Sequence, residues 1–160
     1  NEAIAEKLAA FEKNNVQLIW QTGKPFAAQA KQLAGISKMI WTNDFITQME
    51  YAFAAADVIV SRAGAMSIAE LCVAKKPVVF VPFPFAAEDH QTVNAQHLVE
   101  KNAGIMIKDN EAKEKLVPAV IDLIKNDQLQ NELKENIAKL AVTDADVRIA
   151  SEVLKTITAA

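Results

Sequence analysis

The segment Glu88-Asp89-His90-Gln91-Thr92-Val93-Asn94-Ala95-Gln96 crowds carboxylates, amides and an imidazole into the start of one helix-like stretch. His90, Gln91 and Asn94 fall within about a turn of each other, and amide and carboxylate groups in this density suit a polyhydroxylated ligand. Glu88 and Asp89 have a simpler first role as helix N-terminal acids, worth about 0.3–1 kcal/mol each through the helix dipole. A second candidate runs from Asp57 to Glu70, where the apolar run Val58-Ile59-Val60 passes through a small-residue turn at Gly64 into a helix-like segment. The first N–H groups of such a helix lack intrahelical partners and carry partial positive charge, so Gly64, Ala65, Met66 and Ser67 are candidates for holding a phosphate. Glu70, among the uncharged neighbours Ala69, Leu71, Cys72 and Val73, could accept two hydrogen bonds from a diol such as a ribose 2′,3′ pair. Taken alone, a strand-Gly-helix junction is ordinarily no more than a turn. A third candidate, Phe45-Ile46 after Asn43-Asp44, sets a flat apolar ring beside main-chain polar atoms, an arrangement suited to a planar base.

The rest of the inventory excludes more than it adds. Ser61 and Ser67 have no histidine at a recognisable elbow spacing and no P-loop pattern is present, so no catalytic residue is assigned to this chain. His97 lacks Cys, Asp or Glu at ligand spacing, and neither a metal nor a cofactor is expected. Cys72 is the single cysteine and lies in an apolar run, which fits a buried small hydrophobe. Seventeen basic and 20 acidic side chains, net −3, are interspersed, so the basic face that nucleic acid requires is missing. There is no run of about 18 apolar residues, and a cytoplasmic protein is expected.

The elements that must position these groups alternate. Helical spacing of Ile4, Leu8 and Phe11 predicts a helix over 2–13; then follow a strand near 16–20, a helix 24–34 and a strand to Trp41. A helix 45–55 with Phe45, Met49 and Phe53 on one face comes next. The strand 58–60 and a helix to about Ala74 precede Pro77–Pro82, whose near-continuous apolar run marks a strand buried on both faces. A helix 88–101, a strand 105–108 and helices near 115–125, 127–141 and 144–158 complete the chain, with Asp127 and Asp144 as N-caps. Strands and helices that alternate over short connections predict an α/β fold, a doubly wound parallel sheet of the Rossmann type with a helical C-terminal tail. Ligands bind such sheets beyond the carboxyl ends of the strands, where all three candidate segments would converge. At 160 residues and 51% hydrophobic, one domain over 1–160 is expected.

Asp57–Leu71, Lys76–Pro84, Asp89–Ala95 and Ala103-Gly104 together closely resemble the C-terminal half of the MurG family, two-domain GT-B transferases of the undecaprenyldiphospho-muramoylpentapeptide β-N-acetylglucosaminyltransferase type. The resemblance covers essentially the whole chain. It implies UDP-N-acetylglucosamine (UDP-GlcNAc) as donor and lipid I as acceptor, giving lipid II with inversion in peptidoglycan synthesis on the cytoplasmic face of the membrane. It implies that Glu70 binds the ribose hydroxyls, Ala65, Met66 and Ser67 lie near the diphosphate, Phe45 and Ile46 contact uracil, and His90, Gln91 and Asn94 surround the GlcNAc hydroxyls. His90 stands where some members carry Gln, and Ala63 where many carry Ser.

Members of that family open this half with a strand and a Gly-rich loop, whereas this chain opens in the helix that would follow. The chain is therefore expected to be a donor-binding part, with lipid I and the peripheral membrane contact belonging to an N-terminal domain outside it, and to be inactive alone. Two other readings stand beside this one: a non-catalytic donor-binding subunit of a two-chain glycosyltransferase, and half of a UDP-sugar epimerase.

Overall fold

The computed structural model describes residues 1–158, so residues 159–160 of the expected domain lie outside the described residues. In chain order the elements are α1 (Glu2–Glu6), α2 (Leu8–Lys13), β1 (Leu18–Gln21), α3 (Lys24–Ala34), β2 (Ile40–Asn43), α4 (Met49–Ala55), β3 (Ile59–Ser61) and α5 (Ala65–Ala74). They continue with β4 (Val78–Phe80), α6 (His90–Glu100), β5 (Ile105–Met106), α7 (Ala112–Ile124), α8 (Asp127–Ala138) and α9 (Ala145–Thr158). The α/β alternation and the parallel pairing are as the spacing predicts. The expected single sheet is divided into two hydrogen-bonded groups, β1-β2 and β3-β4-β5, all parallel. Strands pair only at about 4.8 Å, and β1 and β3 do not meet. Their outer edges have no partner among the described residues, and Ile19 and Val60 on these strands stay 43% and 39% exposed.

One core joins the two groups. Trp20, Ile40 and Val79 from the strands, with Val81 and Ile107 directly after β4 and β5, pack with Ile4, Leu8 and Phe11 and with Leu116, Val117 and Val120. On the other face Val78 and Phe80 pack with Ala63, Leu71, Cys72, Ala95, Leu98 and Ile137. β4 is thus buried on both faces, as its unbroken apolar run requires. Gly104 lies so close to it that an added Cβ would sit 2.7 Å from Phe80 Cε2 and 3.3 Å from Val78 O.

Several boundaries differ from the sequence expectation for local reasons. The first helix breaks at Lys7, whose φ of −121° leaves the helical region. Lys7 Nζ instead donates to Glu114 O at 2.6 Å. That carbonyl needs a donor because α7 begins at Ala112, which places Pro118 in its interior, and proline supplies no N–H four residues on. Lys113 adds ion pairs to Glu2 and Glu6 across the same contact, and hydrogen bonds first to Glu6 and then to Glu2 push its ammonium pKa upward. The helix predicted at 45 starts at Met49, because Asp44 N–H is taken by Asn43 Oδ1 and Phe45 N–H by Asp44 Oδ1, turns that compete with helix. Asn126 rather than Asp127 caps α8, accepting from Leu129 N–H at 3.0 Å, and the Asp144 carboxylate pairs with Arg148.

α5 ends at Lys75, which adopts the left-handed conformation (φ 55°, ψ 46°). A side chain there costs about 1–2 kcal/mol, partly offset in glycine by unfolded-state entropy. Lys75→Gly is therefore expected to stabilise the fold by about 0.5–1 kcal/mol, read as a higher urea midpoint at unchanged m.

Candidate functional site

Within each group the strands are parallel, so the turns after β1 and β2 open on one edge and those after β3, β4 and β5 on one edge. Asn1, whose side chain donates to Thr22 O while its terminal amine feels the charges of Arg62 and Asp109, brings both edges onto one rim. At its centre Gly64 holds the N-cap position of α5 in an extended conformation (φ −68°, ψ 147°), with no side-chain cap. The N–H groups of Ala65, Met66 and Ser67 find no partner among the described residues. Met66 is 76% exposed, so this helix start opens to solvent and is available to an anion.

Glu70, one turn further, is exposed, and its carboxylate makes no hydrogen bond or ion pair with the described residues. It lines a groove of roughly 680 Å³ between α4 and α5, with Met49, Glu50 and Phe53 on one wall and Ala69 and Val73 on the other. A carboxylate without a partner on an apolar groove is an acceptor set where a hydroxyl-bearing ligand can reach it. Sequence reasoning placed Met49 on a helix face with Phe45 and missed it as a wall of this groove. Phe45 lies ahead of α4, 61% exposed, at the carboxyl end of β2. Its carbonyl accepts from Asn43 Nδ2 at 3.2 Å, and Ile46 N–H donates to Gln21 Oε1 at 2.8 Å. An incoming base would therefore find the Phe45 ring and the Ile46 carbonyl open, and would compete with Gln21 for the Ile46 N–H.

Gln91 and Asn94 on α6 are tied directly to the turn before α5. Gln91 Oε1 accepts from Ala63 N–H at 3.2 Å and from Phe83 N–H at 3.0 Å, and Asn94 Nδ2 donates to Ala63 O at 3.1 Å. Both main-chain groups of Ala63 are held this way, and Ala63 is fully buried. Gln91 Nε2 and Asn94 Oδ1 keep free bonding capacity. His90 is exposed, with Nδ1 against Ala87 O at 2.7 Å, which fixes its ring and leaves Nε2 open. Asp89 takes the α6 N-cap position in a left-handed conformation (φ 53°), but its carboxylate accepts from the Thr92 hydroxyl and caps no N–H. The geometry therefore joins Ala63, the residue directly before Gly64–Ser67, to Gln91 and Asn94 by hydrogen bonds and puts Glu70 on the adjoining groove. Phe45, Ile46 and His90 share the rim without touching those groups.

Arg62 is a rim residue that sequence reasoning missed. Its Nη1 donates to Val81 O and Pro82 O, each at 3.0 Å, and to Asp109 Oδ1 at 2.5 Å. A lone cation among small residues directly after the short apolar run of β3 was the available signal. Cys72 is buried, and burial pushes its thiol pKa up, which leaves it inert as a nucleophile. His97 is exposed, and among the described residues no group of three or more His, Cys, Asp or Glu could hold a metal ion. No helix among them is long and apolar enough to cross a membrane.

Residues 1–149 match the glycosyltransferase family 28 C-terminal domain. The chain is 47% identical over 159 residues to the Bacteroides thetaiotaomicron UDP-N-acetylglucosamine–N-acetylmuramyl-(pentapeptide) pyrophosphoryl-undecaprenol N-acetylglucosamine transferase, covering 97% of this chain and 43% of that protein. It is 51% identical over 144 residues to the Bacteroides fragilis protein of the same name, covering 88% and 38%. The crystal structure of Acinetobacter baumannii MurG superposes with a TM-score of 0.82 at 28% identity, covering 96% of this chain and 46% of that one. The chain thus spans less than half the length of each.

Proposed function

This chain belongs to the glycosyltransferase family 28 C-terminal domain family, and from that membership we propose that it is the donor-binding half of a MurG-type enzyme. That enzyme would transfer N-acetylglucosamine from UDP-GlcNAc to lipid I, forming lipid II. The names of the relatives support the donor and acceptor classes. The observation that carries the reading within this chain is the open α5 N-terminus one turn from an unpartnered carboxylate on a groove. This spacing offers a diphosphate site and a diol site on one ligand.

In this reading the diphosphate lies on the N–H groups of Ala65, Met66 and Ser67, beside Gly64. There the helix N-terminus stabilises the negative charge that grows on UDP as it departs. Glu70 accepts from the ribose 2′- and 3′-hydroxyls, and the uracil stands against Phe45 and Ile46. Gln91 Nε2, Asn94 Oδ1 and His90 Nε2 face the sugar hydroxyls, the other ends of these side chains being committed to Ala63, Phe83 and Ala87. Lipid I, the general base and the peripheral membrane contact would belong to residues outside these 160.

Two measurements test the reading. Calorimetric titration of the chain with UDP-GlcNAc should give saturable binding that UDP displaces and GDP does not. The isolated chain should give no turnover of a lipid I analogue, since no described residue pairs a nucleophile with a base. Measurable turnover would contradict the assignment of the base elsewhere.

A further inference from the structure

The turn that presents the α5 N–H groups has little structure of its own, so something must hold it. Ala63 is fixed by Gln91 and Asn94 from the α6 side. Arg62 fixes the other side. Its guanidinium reaches the carbonyls of Val81 and Pro82 after β4, packs 5.5 Å from the Phe83 ring centroid, and pairs with Asp109 at the end of β5. One cation therefore ties the carboxyl ends of three adjacent strands. Phe83 N–H returns the connection to Gln91, which closes a loop of contacts through Ala63.

An exposed ion pair alone would contribute little. This pair is different because the same guanidinium also satisfies two main-chain carbonyls and covers a ring, so its orientation is determined by four neighbours. We propose that Asp109, acting through Arg62, is a positioning residue for the diphosphate end of the donor site: it orients the guanidinium that locks the Arg62–Gly64 turn and so aims the α5 N–H groups. The proposal rests on the donor-site reading and adds to it a residue 47 positions away in sequence that touches no ligand.

The sign of one substitution separates positioning from plain electrostatics. Removing a carboxylate near an anion site raises anion affinity if charge alone matters, and it frees Arg62 to reach the phosphates. Positioning requires the opposite. In NMR titrations of the full chain, Asp109→Ala should weaken UDP by about tenfold, the worth of one charge-assisted hydrogen bond. Uridine, which lacks the phosphates, should bind Asp109→Ala as it binds the unaltered chain, and Asp109→Asn, which still offers an oxygen to Nη1, should restore most of the UDP affinity. A merely structural loss would lower both ligands together. Equal or tighter UDP binding by Asp109→Ala, or an equal fall for uridine, would overturn the proposal.

A ligand-free arm stands independently. Amide hydrogen exchange at Ala63 and Phe83 should accelerate in Asp109→Ala and in Arg62→Lys, which keeps the charge but loses the fork, while exchange at Ala95 and Leu98 stays slow. Unchanged exchange at Ala63 and Phe83 would overturn the positioning role even if UDP binds. Failure of the unaltered chain to bind UDP would instead overturn the donor-site reading.

Discussion

Phe80→Ala should be the most damaging single truncation in the rim's support, costing about 3–5 kcal/mol of the roughly 5–15 kcal/mol that typically stabilises a domain. Phe80 is fully buried in the middle strand of β3-β4-β5, and its ring lies against Gly104 on one side and within the cluster that contains Ala63, Leu71 and Ile137. Truncation leaves a void that the hydrogen-bonded backbone of β4 cannot collapse to fill, so the transfer and cavity terms add. The expected result is a large drop in urea midpoint with m unchanged. Phe80→Leu, which keeps most of the volume, should cost less than about 1.5 kcal/mol. Since Ala63 shares that cluster, the truncation should also loosen the turn ahead of α5.

Glu70→Ala carries the second large effect, on binding and not on stability. Glu70 is exposed and has no partner among the described residues, so its removal should leave the urea midpoint within about 0.5 kcal/mol of the original. UDP affinity should nevertheless fall, because the two charge-assisted hydrogen bonds proposed between Glu70 and the ribose would each be worth about 1.5–3 kcal/mol at most. Ligand chemistry offers the matching control: 2′-deoxy-UDP should bind the unaltered chain more weakly than UDP does, and the two should bind Glu70→Ala alike. Equal UDP affinity in a folded Glu70→Ala protein would remove Glu70 from the site.

How much of this was legible in the sequence depended on the range of the forces involved. Helix α3 was legible at both ends, since Gly23, Pro25 and Gly35 act locally. The two-faced burial of β4 followed from an unbroken apolar run. The separation of β1 from β3 was not legible, because alternation reports element order and says nothing of which edges pair. Phe45 was assigned to a helix on its apolar spacing, but Asn43 and Asp44 offered the backbone competing hydrogen bonds that periodicity does not register. In the site, Gly64–Ser67 and Glu70 were readable as a helix start and a lone acid. The commitment of Gln91 Oε1 and Asn94 Nδ2 to Ala63, and of Arg62 to Asp109, depends on contacts between distant segments that no local pattern encodes.

The central claim is that one nucleotide spans Phe45-Ile46, the start of α5 and Glu70. An amide-resolved NMR titration of the 160-residue chain with UDP-GlcNAc tests it most directly. Saturable shifts that share one dissociation constant are expected at Phe45, Ile46, Ala65, Met66, Ser67 and Glu70, with smaller shifts at His90, Gln91 and Asn94. Shifts confined to other surfaces, such as α7–α9, or no saturable shift at any of the first six residues, would contradict it.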